Sequence, residues 1–370
     1  MRKVLPYQEL LLEMLSVPAL SREEHQRADF LEKFMKVWGM DVTRIHNNLL
    51  VGDPERIDAV PKILMNSHMD TVPPAEGWGS DPFTPQLKQG RITGLGSNDA
   101  GASVVTMIAS FHAMSTLLEE GLNLMLLISA EEEVSGTAGI TSVLPQLGPL
   151  DGVIVGEPTG MEPAVAERGL MVIDAEVKGR AGHAARREGE NAIYIAMKDI
   201  ETIASLEFSE PSEWLPGPGA QVTMISGGTK HNVVPDRCKY VVDVRSNDRY
   251  GNEEILAMLR KVCAADLVPR STRLKPSLLA GNHFLMEAIS SSGLSPFGSS
   301  TLSDMSLIPY PAVKMGPGDS ARSHTAGEYI LVEELDQGVA QYNQFLQAVA
   351  RVVMHKGKAA MMENNEEKRS

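Results

Sequence analysis

Cysteine is almost missing from this chain. Cys238 and Cys263 are the only two among 370 residues, too few for a disulfide framework or a cysteine-built zinc site. Basic residues are scarce as well: 34 Lys and Arg stand against 48 Asp and Glu, a formal net charge of −14 at pH 7. Nucleic-acid binders gather Lys and Arg against phosphate, so no nucleic-acid partner is expected. Long hydrophobic runs are absent too. The most apolar stretch, Leu122–Ala130, falls far short of the roughly 20 residues that span a bilayer. Near the start, Gln8, Glu9 and Glu13 break up an apolar segment in a way that does not suit a signal peptide. The expectation is a cytoplasmic protein with no membrane partner. Hydrophobic residues at 43% and charged ones at 22% are ordinary globular composition, so the chain should fold, and its length allows two domains.

Ser21-Arg22-Glu23-Glu24 has the spacing of a capping box and Gly39 that of a C-terminal stop, which predicts a helix between them. Ile63–Asn66, Leu122–Ser129 and Gly152–Val155 are short apolar runs of the kind buried on both faces of a sheet. A helix is expected near Ala100–Leu118. Strands alternating with helices imply a mostly parallel sheet flanked by helices, with its sites beyond the carboxyl ends of the strands. After about Pro163 the pattern changes. Alternating strands at Leu170–Val177, Gln221–Ile225 and Tyr240–Val244, helices at Asn191–Ala204 and Glu253–Ala265, and an extended piece from Arg273 give the order βαββαβ. That order is a ferredoxin-like antiparallel unit. The expected architecture is therefore an α/β domain from 1–163 and 275–370, interrupted by a ferredoxin-like domain at 164–274. A last helix is expected at Val332–Val353, followed by a polar, frayed tail to Ser370.

Chemistry-bearing residues gather where these strands end. His68 and Asp70 flank Met69 just beyond a buried strand; two residues apart in extended chain, they point to one side and can cooperate. The same triplet suits an ordinary loop histidine. Asp99, in Gly94–Gly101, stands at a loop-to-helix junction, where it would serve equally as a helix N-cap or as a bridge between cations. Glu131-Glu132-Glu133 leaves the end of a central strand; such a run is commonly a solvated face, but here it lies where functional loops collect. Glu157 ends the next strand, and His324 follows the Gly316–Asp319 turn. Taken together, two histidines with several carboxylates make a hard donor set suited to zinc, cobalt or manganese. Asp99, Glu133 and Glu157 with a hydroxide would balance two divalent cations.

The motifs HMDTVP (68–73), GLGSNDAG (94–101), SAEEE (129–133), VGEPT (155–159), GRAGHAA (179–185), NVVPD (232–236) and GPGDSARSHTAGEY (316–329) span nearly the whole chain. In this order they resemble the zinc amidohydrolase and exopeptidase family of acetylornithine deacetylase, succinyl-diaminopimelate desuccinylase and glutamate carboxypeptidase. The resemblance implies two Zn2+ ions per chain, replaceable by Co2+. His68 and Glu157 would hold one, Glu133 and His324 the other, and Asp99 would bridge them across a cis Asp99–Ala100 peptide. It further implies that Asp70 steadies His68, that Glu132 is the general acid/base, and that His183 in the inserted domain stabilises the oxyanion. Asn232 and Arg245 would bind a substrate carboxylate, Arg245 being otherwise a plain sheet-edge charge. Where the family often has a Lys after its bridging Asp, this chain has Gly101. The resembling enzymes pair as homodimers through the inserted domain, whose antiparallel sheet has edges to cover. GLGSNDAGAS, VAERGLMV and GGTKHNVVPDRC bring the chain nearest to the acetylornithine deacetylases. The implied reaction is removal of the acyl group from an N-acyl amino acid, N-acetyl-L-ornithine first, in arginine biosynthesis. N-acetylcitrulline or N-succinyl amino acid deacylation, dipeptide cleavage and metal-and-ligand binding without catalysis are the rivals.

Overall fold

The apolar runs form the centre of a parallel sheet in the computed structural model, which describes residues 5–56, 60–186 and 188–367. Lys62–His68 lies between Asn123–Ser129 and Gly152–Val155, parallel to both, and Ala312–Lys314 runs parallel to the far side of Gly152–Val155. All four are buried nearly end to end, as strands covered on both faces must be. Antiparallel neighbours close the sheet: Asn48–Val51 beside Asn123–Ser129, then Val42–Ile45, and at the other side Ala164 against Lys314. On one face Ile140, Val143 and Leu147 pack against Leu64, Met125, Leu127 and Val153. This architecture, mostly parallel with flanking helices, is the one the sequence predicts. Among the described residues no helix is long and apolar enough to cross a membrane, and both cysteines are free thiols.

Contacts divide the chain into two units, the first made of Met1–Val165, Leu279–Phe297 and Ser303–Ser370, the second of Ala166–Leu278 with Gly298–Leu302. In the second, four antiparallel strands lie in the order Gly219–Gly227, Arg237–Ser246, Gly169–Lys178, Asp266–Pro269. Helices Ala192–Ala204 and Asn252–Val262 separate them along the chain in ferredoxin-like order. Alternate residues Met171, Ile173, Ala175 and Val177 meet Ala196, Ile203, Ile255 and Leu259 in one core, which is what period-two burial of a one-sided sheet requires. The fourth strand lies earlier than the extended piece expected from Arg273. The carbonyls of Thr272 and Leu274 accept from Asn252 Nδ2 at 3.2 and 2.8 Å, and that of Leu274 also from Leu170 N at 3.0 Å, which holds that segment against a helix start and the end of the strand Gly169–Lys178.

Three local expectations are revised. The helix after Ala100 starts at Ala102, behind a π-helical turn at Ser97–Gly101, and ends at Met114. The last helix does not stop at Val353 but continues from Val332 to Glu367, so the expected frayed tail is helical there and only its last three residues lie outside the described ones. The helix His25–Val37 forms, and Gly39 (φ +79°) ends it, yet the capping box does not. Ser21 Oγ donates instead to Asp70 Oδ2 at 2.8 Å. Fully buried Glu24 accepts from Arg22 N at 2.6 Å, Asn47 Nδ2 at 3.0 Å and Glu131 N at 3.2 Å. Both residues support the loops at the strand ends.

A donor left buried without an acceptor costs about 1–3 kcal/mol. Glu24→Ala should therefore destabilise the chain well beyond the roughly 1 kcal/mol of a lost helix cap. Denaturant unfolding decides: a loss no larger than that of Ser21→Ala would return Glu24 to a capping role.

Candidate metal centre

The four parallel strands deliver their carboxyl ends to one place. His68 is the last residue of its strand, Glu132 and Glu133 follow Asn123–Ser129, Glu157 follows Gly152–Val155, and the loop beyond Ala312–Lys314 leads to His324. Asp99 joins them from the turn before the Ala102 helix. His68 Nε2 lies 3.3 Å from Asp99 Oδ1, 3.6 Å from Glu157 Oε1 and 4.0 Å from Glu132 Oε2. His324 Nε2 lies 3.0 Å from Glu133 Oε2 and 3.6 Å from Asp99 Oδ2. The two oxygens of Asp99 thus face different histidines. Donor atoms of His68, Asp99 and Glu133 fall within 4.8 Å of one another, as do those of His68, Glu132 and Glu157. Imidazole nitrogen with carboxylate oxygen is the donor chemistry that zinc, cobalt or manganese takes, so the residues fit the implied cations. His68 falls in both groups, and Glu132 lies as close to it as a ligand would.

Around this cluster each support has a specific contact. His68 Nδ1 donates to the main-chain oxygen of Asp70 at 3.0 Å, with Asp70 Oδ1 at 3.5 Å, a bond that turns Nε2 toward the carboxylates. Asp70 accepts the N–H groups of Glu132 and Glu133 at 3.1 and 3.2 Å, so it fixes the Glu loop as well as the imidazole. Glu131 (φ +56°) turns away, its Oε2 accepting from Ala138 N at 3.1 Å, which leaves Glu132 and Glu133 facing the histidines. Asp99 makes no side-chain cap to its helix; its peptide to Ala100 is cis. A Cβ on Gly101 would stand 2.3 Å from the oxygen of Gly96, so no longer side chain fits where the resembling family often has lysine.

Burial in a low dielectric and crowding of like charge shape the ionisation here. Burial, helped by Glu157, Asp304 and Glu133 and opposed by His68, holds the Glu132 carboxyl well above its ordinary value. Burial does the same to Glu157, with Asp99 adding and His68 and Lys314 opposing. For His68 burial works downward, yet hydrogen bonds to Asp70 and Asp99 and the charges of Glu157 and Glu132 keep the imidazole well above its usual value. Asp99 stays below the carboxylate range, because bonds to His68 and Ser323 outweigh its burial.

In the second unit, His183 pairs with Val233 in a two-residue ladder, and Ala184 N donates to the oxygen of Asn232 at 3.1 Å. His183 and Asn232 are neighbours there, both exposed. His183 Nδ1 accepts from Ala185 N at 3.2 Å, which leaves the proton of a neutral ring on Nε2. Arg245 sits on the inner strand Arg237–Ser246, not at a sheet edge, and binds Asp243 through Nε at 2.7 Å and Nη2 at 3.1 Å.

Sequence reasoning passed over several buried supports. Glu328 lies inside a quoted motif, four residues after His324, and its carboxylate accepts from Gly96, Asn98 and Asp99 N–H groups. Arg27, 1% exposed, donates to the oxygen of Met69 at 2.7 Å. Asp304, 2% exposed, accepts from Asn66 Nδ2 at 3.0 Å and Ser129 Oγ at 2.8 Å. Helix-face spacing would not have found them, since each bonds to residues remote in sequence.

A parallel sheet whose strand ends converge histidines with buried carboxylates has the build of a metal-dependent hydrolase. The profile described as Peptidase family M20/M25/M40 matches residues 64–348, and the chain belongs to that family and is a hydrolase. It is 31% identical to a succinyl-diaminopimelate desuccinylase of Zymomonas mobilis over 243 residues, 63% of this chain and 63% of that protein. With an N-acetyl-L-citrulline deacetylase of Xanthomonas campestris it shares 27% identity, covering 78% and 82%. With an acetylornithine deacetylase of Myxococcus xanthus it shares 28%, covering 74% and 76%. Among solved structures, aminopeptidase PepT of Bacillus cereus has the same fold at TM-score 0.74 and 23% identity, over 93% of this chain and 98% of that one. The Bacillus subtilis YXEP protein, described as a dinuclear metal binding peptidase, superposes at TM-score 0.67 and 16% identity, over 94% and 98%.

Burial pushes the Asp304 carboxyl up to about 6, against its bonds from Asn66 and Ser129. An acid raised on folding holds its proton more tightly folded than unfolded, so its charge costs stability once pH rises through that value and costs nothing in acid. Asp304→Asn keeps an acceptor and removes the charge. In metal-free protein it should raise the thermal midpoint by a few degrees at about pH 8 and leave it unchanged near pH 4. Equal gains at both pH values would show that charge is not the cause.

Proposed function

We propose that this chain removes the acyl group from an N-acyl amino acid, with N-acetyl-L-ornithine as the first substrate to test, a step of arginine biosynthesis. The observation that carries the reading is Asp99, one oxygen 3.3 Å from His68 and the other 3.6 Å from His324, a carboxylate set to serve two cations at once. His68 and Glu157 would hold one, Glu133 and His324 the other. Zinc suits this donor set, and cobalt substitutes. When bound, the cations acidify a water and polarise the amide carbonyl.

The side chains do the remaining work. Glu132, its side chain 11% exposed in the Glu loop, takes a proton from the attacking water on its carboxylate. It then delivers that proton to the leaving nitrogen as the C–N bond breaks. Water and amide become carboxylate and amine. Asp70 keeps His68 oriented, and Nε2–H of His183 donates to the oxyanion. Arg245 exchanges Asp243 for the substrate's carboxylate, with Asn232 as a second donor. The chain works as a cytoplasmic homodimer joined through the second unit, and sedimentation at twice the chain mass checks the pairing.

Desuccinylation and deacetylation in the names of the relatives support N-acyl amino acids as the substrate class. The deciding assay measures amine release over N-acetyl and N-succinyl amino acids, ornithine and citrulline derivatives included, beside dipeptides. Turnover confined to dipeptides would overturn the deacylase reading, and no turnover with metal bound would favour a binder. Glu132→Gln should keep bound metal while turnover falls about a hundred- to ten-thousand-fold. Glu133→Gln should lose metal from one site, because an amide neutralises no charge. The reverse pattern would move the working pair by one residue.

A further inference from the structure

Glu328 has no part in the chemistry just described, yet it is 2% exposed and lies beneath the loop that carries Asp99. Its Oε2 accepts the N–H of Gly96 at 2.8 Å. Its Oε1 accepts those of Asn98 at 2.9 Å and Asp99 at 2.8 Å. Its main-chain oxygen accepts from Gly94 N at 3.1 Å. One residue thus ties down the whole turn leading to Asp99. That turn has no slack on its other side: Gly96 holds φ +78°, and a Cβ there would lie 2.6 Å from Thr71 Cγ2. Asn98 adds a cross-link, giving Nδ2 to the oxygen of Asp319 at 3.0 Å and taking Asp319 N on Oδ1 at 3.0 Å. The loop of Asp99 and the loop of His324 are therefore held to one another as well as to Glu328.

A buried carboxylate needs a counter-charge or dense hydrogen bonding to stay ionised. Three N–H groups supply part of that. Arg27 lies behind the same loops: its guanidinium, 1% exposed, is attracted by the charges of Asp70, Glu328 and Glu24, while burial still pushes the Glu328 carboxyl up to about 7. It donates Nη1 to the oxygen of Met69, between His68 and Asp70, and Nε to the oxygen of Val17 at 2.9 Å. One buried cation thus stands behind both loops that present Asp99 and His68.

We infer that Glu328 is a positioning residue: it fixes the turn that aims Asp99 between His68 and His324. The cation beside Glu133 and His324 depends on this most. If Asp99 is misaimed, His68 still has Glu132 and Glu157 within 4.8 Å, whereas the other side keeps only Glu133 and His324. Glu328→Gln preserves shape but sets an amide N–H against at least one of the three main-chain donors, whichever way the amide turns.

The inference rests on the two-cation reading, so the test begins with unaltered protein. Metal-free chain is titrated with Co2+, followed by visible absorption and elemental analysis, beside Glu328→Gln and Glu328→Asp. Asp keeps the charge but draws it back by one methylene, and it carries the same readout should the Gln variant not fold. Expected is a weakening of the second Co2+ equivalent by about tenfold or more, with the first little changed, as for supporting contacts at other metal sites. The altered second-equivalent spectrum should accompany a fall in turnover rather than a rise in KM. A merely structural role would lower Tm and weaken both equivalents alike, and that outcome overturns the inference. So does unchanged affinity for both ions in a folded variant. Failure of the unaltered chain to bind two ions would instead overturn the metal reading itself.

Discussion

Asp70, Asp99, Glu132, Glu157, Asp304 and Glu328 crowd one end of a parallel sheet where little water reaches them, and their mutual repulsion is the constraint on which this structure turns. In that crowd Glu132, Glu157 and His68 all bind a proton more tightly than such groups ordinarily do. In the function proposed, cations held by Asp99, Glu133 and Glu157 would offset that charge instead. Everything nearby is arranged to hold the crowd in place: main-chain N–H groups aimed at Asp70 and Glu328, the buried guanidinium of Arg27, and hydroxyls at Ser21 and Ser129. Each support lowers the cost of keeping a negative charge out of water.

Such concentration is possible because the sheet is parallel. Four strand ends point the same way, so residues from four distant parts of the sequence arrive together without any one loop having to be long. The strands themselves are mostly apolar, and His68, at a strand's last position, is the one of their residues that joins the cluster. Polar residues inside the sheet, Asn66 and Ser129, serve Asp304 just below the cluster. The core and the centre are therefore one construction, and changes to either should be felt in both.

Most of the architecture was legible in the sequence because it follows from local pattern. Continuous apolar runs marked the buried strands, and period-two alternation marked the one-sided sheet of the second unit. The histidines and acids could be named because they lie directly after those runs. Less legible was anything decided between remote segments. Ser21 and Glu24 have the spacing of a helix cap, and helix-forming rules alone favour that use. Asp70 and the Glu131 N–H compete for them and win, since both would otherwise be buried with fewer partners.

By itself, then, the sequence determined the two kinds of sheet, the order of their elements and the set of residue types at the strand ends, because hydrophobic period and turn chemistry act over a few neighbours. Tertiary structure alone decided which members of the Glu131–Glu133 run face the histidines, why Gly101 cannot carry a side chain, and that Glu328 and Arg27 stand behind the loops. Those outcomes depend on close approach between segments up to 232 residues apart, as between Gly96 and Glu328. No local periodicity encodes such distances; they are fixed only once the sheet has brought its strand ends together.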